Sequence, residues 1–469
     1  MLVFSTSAAV LVLEILAGRL VAPYVGVSLE TYTGIIGSVL AGIAIGSAVG
    51  GRMADRHDPR RLLGPLLVAA GVAAIVSPAI ISALGPTAAS NGGGASGILL
   101  LAVSAFVVPT ALLSAVTPMT AKLRLASTTE TGTVVGGLSA AGTAGALFGT
   151  FATGFVFVAA WPTRPIVTAV GIAVTATGFV LWAVIGRRPH PAVVAALVAV
   201  AGLAQLAPSP CQRETRYYCV DVMADPGRPS GRTLVLDNLR HSYVDLDDPT
   251  HLEFRYTRLF AAAVEAGFGR RPLTALHIGG GGFTFPRWLD ATRPGTANTV
   301  LEIDPDIVRL ARDELGLSAD DAKVRTGDAR LNIADEPAAG YDLVVGDAFG
   351  ALSVPWHLTT TEMLFEIRRV LRPDGLYVLN VIDAGPRRLV RAELATLAEV
   401  FGDVVLIAPP AGGTGNHVLV AAPTAVPTLP VNLSDGDVVT GDELTAFIDG
   451  ARPLTDDHAP VDQLITRRG

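Results

Sequence analysis

Two short runs in the C-terminal half of the chain carry the residues best suited to binding a ligand. Residues 275–282 (Ala-Leu-His-Ile-Gly-Gly-Gly-Gly) and residues 300–304 (Val-Leu-Glu-Ile-Asp) are apolar runs that end in glycines and in acids, respectively. Glycines let the backbone approach a ligand where any Cβ would collide. A carboxylate at a strand end can accept hydrogen bonds from ribose hydroxyls, as nucleotide-binding α/β folds require. The candidate ligand-binding residues are Gly279, Gly280, Gly281, Glu302 and Asp304.

Each of these features also has a purely structural interpretation. The glycines can form a tight connection between strand and helix, although such a turn needs one or two glycines rather than four. Glu302 can be a solvated charge at the end of its strand. The glycines and the acids together, at this spacing, favour the binding site.

Two aspartates follow later predicted strands. Asp347 comes directly after residues 341–346, a run that we expect to be buried, so its carboxylate emerges at the edge of the sheet. There it can accept a proton from an attacking amine, orient that amine, or serve only the structure. Asp328 can line the same edge or cap the helix that follows, because Asp is a preferred N-cap. The two roles of Asp328 can coexist.

Two further segments can border the site. Trp356 and His357 precede a predicted helix and can wall a pocket over the ligand, although a lone His beside a Trp more often serves packing. Residues 454–462 are dense in carboxylates, which indicates either a solvated turn or a segment that closes over the site.

The elements that would position these side chains alternate between strands and helices. Residues 216–245 hold short alternating runs separated by turn residues, which predicts a small antiparallel sheet, and a helix follows over 250–267. Beyond residue 273 the pattern predicts a mostly parallel sheet covered on both faces, with the ligand beyond the carboxyl ends of its strands. The predicted strands are 273–278, 298–303, 322–326, 341–347, 375–382, 403–408 and 416–421, and the predicted helices are 283–291, 305–315, 329–335, 359–371 and 387–400.

The first 210 residues have a different character. Half of the chain is hydrophobic and only 16% is charged, and nearly all of the apolar excess lies before residue 210. A bilayer crossing takes about 20 apolar residues, so we predict a multi-pass helical domain in the plasma membrane, with the lipid bilayer as its partner. The candidate segments are 2–22, 31–50, 62–84, 98–119, 133–160, 164–185 and the shorter 191–207.

Lysines and arginines between these segments predict the orientation, because cytoplasmic loops carry the excess of positive charge. They follow the second, fourth and sixth segments, which places the N-terminus inside. A seventh crossing would put the soluble domain outside, whereas an interfacial 191–207 segment would keep it inside. A disulfide between Cys211 and Cys219 would favour the outside, and two buried thiols would not. The basic residues are Arg52, Arg56, Arg60, Arg61, Lys122, Arg124, Arg187 and Arg188.

Glu14 and Arg19 lie within the first apolar segment. A charge inside a bilayer is costly, so each invites a functional interpretation. Alternatively, Arg19 extends to the interface and Glu14 finds a partner inside the bundle.

The composition also bears on partners and domains. The net charge is −7 and no basic face is clustered, which gives no sign of nucleic-acid binding. No His and Cys stand at metal-ligand spacing. We expect a transmembrane domain (1–210), a small sheet with a helix (211–270) and a Rossmann-like domain (271–469), and assembly as a homo-oligomer stays open.

These motifs together resemble the spermidine synthase (polyamine aminopropyltransferase) family. The whole chain resembles the membrane-fused bacterial branch of that family, in which a transporter-like domain precedes the synthase domain. The segments that carry the resemblance are 13–26, 50–56, 236–237, 278–281, 301–304, 327–329, 347–349, 354–359 and 371–375.

The resemblance implies a reaction and a role for each site residue. In that family, decarboxylated S-adenosylmethionine donates an aminopropyl group to the amine putrescine, and methylthioadenosine is released. Residues 279–281 would hold the donor's aminopropyl side, Glu302 its ribose, and Asp328 with Ala329 its adenine. Asp347 would take a proton from the attacking amine. Such an attack needs positioning and amine deprotonation rather than a metal.

Several positions depart from the family's pattern. Gly282 and Gly350 stand where acids are expected, His241 replaces a Gln, and an acid-containing pair after Tyr256 has become Thr-Arg. The adenosyl half of the site is therefore intact, whereas carboxylates that would bind a diamine are missing, which puts putrescine in doubt as the acceptor. The candidate pocket residues are His241, Tyr256, Arg258, Trp356 and His357.

Two rival functions belong to other classes. An S-adenosylmethionine-dependent methyltransferase shares the sheet and the adenosyl site, and the missing acid at position 282 favours it. A transporter or sensor whose nucleotide-fold domain only binds a ligand is the second rival, and an external soluble domain would favour that one.

Overall fold

The computed structural model describes residues 1–90, 94–125, 131–185, 191–350, 354–410, 413, 415–429 and 436–465. The chain divides into two compact units, Met1–Cys219 and Val220–Gly469. The finer division into residues 211–270 and 271–469 stays a prediction.

The first unit is built from helices. They are Leu2–Val25 (α1), Leu29–Arg56 (α2), Pro59–Ser90 (α3), Ala95–Ser114 (α4), Val116–Arg124 (α5), Thr131–Ala152 (α6), Thr163–Ile185 (α7) and Pro191–Ala204 (α8). Six stretches among the described residues are long and apolar enough to cross a membrane, with α5 continuing α4 and a π-helical turn extending α6 to Ala160. The predicted multi-pass helical class is thereby confirmed. Arg187 and Arg188 lie outside the described residues.

Large apolar side chains cover the outside of these helices. Phe155 and Val184 are each 76% exposed, and Ile172 is 57% exposed. Such a surface would be unfavourable in water, whereas lipid tails can cover it. The composition of the helices and their exposed faces agree with a location in a membrane.

Small residues bring α2 close to α4. A Cβ added at Gly46 would lie 2.0 Å from the carbonyl oxygen of Ala111, so only glycine permits this approach. Without a hydrophobic drive between helices in lipid, such close van der Waals packing contributes much of the association.

The second unit opens with antiparallel strands and one helix. They are Cys219–Asp225 (β1), Arg228–Leu236 (β2), Leu239–Asp245 (β3) and Arg255–Phe268 (α9). β2 pairs with both β1 and β3. The predicted helix over 250–267 begins five residues later than expected, at Arg255.

A larger sheet with flanking helices makes up the rest of the unit. Its strands are Thr274–Ile278 (β4), Ala297–Glu302 (β5), Lys323–Thr326 (β6), Tyr341–Gly346 (β7), Leu371–Asp383 (β8), Asp403–Ala408 (β9), Gly415–Ala422 (β10) and Asp437–Val439 (β11). Its helices are Thr284–Thr292 (α10), Pro305–Glu314 (α11), Ala329–Asn332 (α12), Thr361–Val370 (α13), Arg388–Val400 (α14), Gly441–Ile448 (α15) and Val461–Leu464 (α16).

The strand order is β11–β9–β10–β8–β7–β4–β5–β6. The five strands from β8 to β6 are parallel, and β9, β10 and β11 join by antiparallel pairing. Every residue of β7 is buried, as expected for a strand covered on both faces. Two apolar cores lie on the two faces of the sheet. This is the predicted Rossmann-like, methyltransferase-type arrangement.

Gly46→Ala is expected to lower the free energy of unfolding by about 1–3 kcal/mol, because the added methyl group overpacks the contact of α2 with α4. Gly37 lies on the same helix with no atom within 4 Å of an added Cβ. Gly37→Ala is therefore the matched control and should stabilise slightly through its higher helix propensity. Thermal unfolding of the full chain in detergent measures both, and equal midpoints for the two variants would contradict the close packing.

Candidate functional site

The carboxyl ends of three neighbouring parallel strands, β7, β4 and β5, meet at one edge of the large sheet. The Asp347 amide donates to the carbonyl of Ile278 (2.9 Å), which ties the end of β7 to the end of β4. The Gly279 amide donates to the carbonyl of Leu301 (2.9 Å), so β4 and β5 also end together. Because β4 has β5 on one side and β7 on the other, this edge is the switch point where such sheets bind ligands.

The glycine turn lies against the backbone of Asp347. Gly279 has φ +95°, and a Cβ added there would lie 2.5 Å from the carbonyl oxygen of Asp347. Both the backbone angle and the contact require glycine at this position. The turn and the aspartate that follows β7 are thus adjacent, as the sequence predicts.

Glu302 holds the turn in place. One oxygen of its carboxylate accepts hydrogen bonds from the amides of Gly280 (2.7 Å) and Gly281 (3.3 Å), and the other accepts from the amide of Asp304 (2.9 Å). Burial raises the pKa of Glu302, and these backbone hydrogen bonds oppose the rise. The carboxylate therefore lies inside the predicted binding site and also organises it.

Two of the predicted aspartates cap helices. Asp304 is fully buried, and its side chain accepts from the amide of Asp306 at the start of α11 (2.9 Å). Asp328 caps α12 through the amide of Arg330 (2.8 Å), while its other oxygen lies 3.0 Å from Nε2 of His357. Asp328 therefore combines a cap with a position beside a second candidate residue.

Ala329 and Trp356, two further candidate residues at that edge, differ in how deeply they are buried. Ala329 is 7% exposed and belongs to the apolar core under the sheet edge. Trp356 is half-exposed and contacts the ring of His357 edge-on at 5.8 Å. Asp456, from the acidic segment near the C-terminus, pairs with Arg330 (2.7 Å), so that segment is anchored at α12.

Asp347 is the centre of a hydrogen-bonded chain. Its carboxylate accepts from the Tyr256 hydroxyl (2.9 Å) and from the Asn380 side-chain amide (2.9 Å). The carbonyl oxygen of that Asn380 amide accepts from the Asn416 side chain (3.0 Å). Burial raises the pKa of Asp347 to about 6, although both hydrogen bonds favour the carboxylate. A carboxylate with this pKa can accept a proton near neutral pH.

Asn380 and Asn416 are site residues that the sequence analysis missed. Asn380 is 2% exposed within the apolar strand β8, and Asn416 lies at the start of β10. A buried amide needs hydrogen-bond partners, so a lone Asn inside an apolar run was the available signal. The sequence does not show that Asn416 is a partner of Asn380, because β8 and β10 are separated by a long connection.

The position after the third glycine is closed by the small sheet. The Gly282 amide donates to the Ser242 hydroxyl (3.0 Å), and an added Cβ would lie 2.8 Å from the Ser242 Cβ. His241 lies beside this contact with its ring edge-on to Phe349, and burial lowers the pKa of His241 to about 4. His241 is therefore neutral at pH 7, and β3 fills the space that a side chain at position 282 would need.

The Arg258 side chain points away from Asp347 and makes its contacts elsewhere. Its guanidinium donates to the carbonyl groups of Leu252 (3.2 Å) and Glu253 (2.7 Å), and its side chain lines a separate cavity of about 600 Å³. Tyr256, two residues earlier on the same helix, points to Asp347 instead. No group of three or more His, Cys, Asp or Glu side chains suited to a metal occurs within the described ranges.

Asn380→Leu is expected to raise the pKa of Asp347 by about one unit or more, because a hydrogen bond to a charged group contributes about 1.5–3 kcal/mol. Asn416→Ala should produce a smaller rise, since it acts through Asn380. Infrared titration of the carboxyl band in the full chain measures both, and Asp347→Asn assigns the band. An unchanged pKa in Asn380→Leu would show that this amide does not stabilise the carboxylate.

The C-terminal part of the chain is similar to proteins of known family. It is 31% identical over 188 residues to a polyamine aminopropyltransferase of Vibrio vulnificus, which covers 39% of this chain and 61% of that protein. It is 29% identical over 196 residues to a polyamine aminopropyltransferase of Chromobacterium violaceum, which covers 40% and 70%. A solved probable spermidine synthase of Corynebacterium glutamicum is 27% identical, with a TM-score of 0.49 over 52% of this chain and 95% of that one. No protein-family model matches.

The matched region spans 61% of the length of the Vibrio relative. Both of these relatives are polyamine aminopropyltransferases, and together they support the resemblance found in the motifs. The C-terminal part of the chain is thus similar to the spermidine synthase (polyamine aminopropyltransferase) family.

Proposed function

We propose that the C-terminal unit transfers an aminopropyl group from decarboxylated S-adenosylmethionine to an amine. The amine nitrogen attacks the methylene carbon next to the sulfonium. The new C–N bond forms as the C–S bond breaks, and the bonding pair leaves with neutral methylthioadenosine. The proton lost by the amine passes to Asp347.

The observation that carries this proposal is the position of Asp347, whose backbone lies against the glycine turn and whose carboxylate is held by two neutral donors. A base with a pKa of about 6 is ionised at neutral pH and can still take up a proton during the reaction. The Tyr256 hydroxyl and the Asn380 amide each bind one of its two oxygens, which fixes the orientation of the carboxylate. A purely structural aspartate would not need this arrangement at a ligand-binding edge.

The adenosyl part of the donor has matching groups along the same edge. Glu302 would accept from the ribose hydroxyls, and residues 279–281 would lie against the aminopropyl side. Asp328 and Ala329 would contact the adenine. Hydrogen bonds from a ribose would compete with those that Glu302 now receives from the turn, so donor binding and turn geometry should be coupled.

The acceptor is proposed to be an amine that is not held by paired acids. The family's acids at positions 282 and 350 are glycines here, and the side chain of Arg258 turns to a different cavity. Recognition of a dication is strongest with charge-assisted hydrogen bonds. We therefore expect weak binding of putrescine and better use of amines with one charged end.

An S-adenosylmethionine-dependent methyltransferase is the second candidate. The Ser242 contact at Gly282 supports it, because the acid that would hold the donor's amine is absent. The chain is also 28% identical over 144 residues to a human protein described as eEF1A lysine and N-terminal methyltransferase, although this covers 20% of that protein.

Product analysis separates the two reactions. Purified full-length protein is incubated with an amine mixture and either decarboxylated S-adenosylmethionine or S-adenosylmethionine. Methylthioadenosine is the expected product, formed only with the decarboxylated donor. S-adenosylhomocysteine would instead support methyl transfer, and the absence of both would reject catalysis.

Asp347→Asn is expected to lower kcat by about 10²–10⁴-fold, the usual contribution of a positioned general base. Donor affinity measured by calorimetry should change little, because Asp347 acts on the amine. Asp320→Asn, an exposed acid in a loop, is the control and should keep full activity. Unchanged turnover in Asp347→Asn would remove Asp347 as the base.

The rate should fall about tenfold per pH unit below pH 6. Burial raises the pKa of Asp347 to about 6, so lower pH fills the carboxylate with a proton and removes the base. Tyr256→Phe removes a hydrogen bond that favours the charged form, so the acidic limb should move to higher pH. Rate–pH profiles at saturating donor measure both, and a limb that stays in place in Tyr256→Phe would argue against Asp347 as its origin.

A further inference from the structure

The contacts of α8 bear on whether residues 191–207 cross the membrane. α8 runs antiparallel to α7, with the Thr168 hydroxyl bonded to the Gln205 side chain (3.2 Å). Because the helices are antiparallel, moving from Gln205 to Pro191 on α8 corresponds to moving from Thr168 to Trp182 on α7. Trp182 lies three residues before the end of α7. An apolar cavity of about 440 Å³ between α3, α7 and α8 follows the same course. The 14 residues of α8 therefore lie beside residues 168–182 of α7, a helix long enough to span a membrane.

The residues after α8 are bound to the end of the bundle where α7 begins. The Arg164 guanidinium donates to the carbonyl of Ala207 (2.8 Å) and to the hydroxyl of Ser82 (2.9 Å). The Ser82 hydroxyl in turn bonds the carbonyl of Pro208 (3.2 Å). Ser82 lies in the second half of α3. The end of α3, the beginning of α7 and the residues that follow α8 therefore lie at the same end of the helical unit.

Arg19 fastens the next segment to the same end. Its guanidinium donates to the carbonyl groups of Thr215 and Arg216 and to the Thr163 hydroxyl (3.1 Å). The Glu214 carboxylate accepts from the Thr163 amide (2.6 Å) and lies 3.8 Å from Arg19. Because α7 begins at Thr163 and α1 ends six residues after Arg19, the segment lies where α1 ends.

The opposite end carries the positive charge. Of the eight Lys and Arg described within residues 1–207, only Arg19 and Arg164 lie at the end just described. At the opposite, basic end, Lys122 pairs with Asp55 (3.2 Å), which joins the end of α5 to the end of α2. Cytoplasmic loops carry such an excess, so the Arg19 end is non-cytoplasmic. The six residues at the basic end are Arg52, Arg56, Arg60, Arg61, Lys122 and Arg124.

A covalent bond points to the same side. Cys211 and Cys219 form a disulfide within the segment that Arg19 holds. Disulfides form and persist in oxidising compartments and are rare where thiols are kept reduced. The distribution of charge and the disulfide are independent observations.

We propose that residues 191–207 form a seventh membrane crossing and that the chain after Cys219 lies on the non-cytoplasmic side. Within the described part of the chain beyond Cys219, no helix is long and apolar enough to bring it back. The inference uses only the first unit and does not depend on the proposed reaction. Its consequence is that donor and acceptor must reach the site outside the cytoplasm.

Single added cysteines in the full chain test this sidedness. The native cysteines form a disulfide and do not react with maleimide, so a single added cysteine is the one reactive thiol in each variant. The two variants are Ala319→Cys, in an exposed loop, and His57→Cys, at the basic end. A membrane-impermeant maleimide should label Ala319→Cys equally in intact and permeabilised cells, and His57→Cys only after permeabilisation. Labelling of Ala319→Cys only after permeabilisation, or of His57→Cys in intact cells, would overturn the proposal.

Reporter fusions after Gly469 give a second measurement that needs no substitution. Alkaline phosphatase is active only outside the cytoplasm and should be active in this fusion, and a fluorescent protein that matures only inside should stay dark. The reverse result would overturn the topology. Activity of the detergent-purified protein does not depend on sidedness, so failure of the proposed chemistry and failure of the topology are distinguishable.

Discussion

The hydrogen bond from the Asp347 amide to the carbonyl of Ile278 is the constraint on which the candidate site depends. It joins the ends of two strands that are far apart in sequence, and it sets the glycine turn against the aspartate backbone. Gly279 then has no room for a side chain. The distance between the glycine turn and Asp347 is therefore fixed by the sheet itself rather than by flexible loops.

The same strand shows how the surroundings of an acid set its role. Asp342 and Asp347 lie near opposite ends of β7. Burial alone would raise the pKa of Asp342, but the Thr274 amide and the guanidinium groups of Arg271 and Arg372 bring that pKa below its usual value. Among the described residues, the side chain of Asp347 has only a phenol and an amide as partners, so burial dominates and the pKa of Asp347 is about 6. Neutral donors orient this carboxylate without removing its basicity.

A charged side chain in the first unit holds a loop in place by hydrogen bonds and an ion pair. Arg19, which the sequence places inside an apolar segment, finds backbone carbonyl groups and the Glu214 carboxylate at the end of α1. Such groups satisfy a guanidinium where water is scarce. Residues 214–216, inside the loop that the disulfide closes, are thus held by hydrogen bonds and one ion pair. The rest of the helical unit relies on apolar surface and close packing.

The sequence by itself determined the class of each half of the chain and the acids that follow the strands. Periodicity and glycine boundaries report local burial, so β4 and β5 lie within one residue of their predicted positions. Only the tertiary structure decided which polar groups meet. Asn380 reaches Asp347 because β8 lies beside β7, and Arg258 turns away because helix register sets its direction. Strand order and helix register arise from long-range packing, which no local pattern encodes.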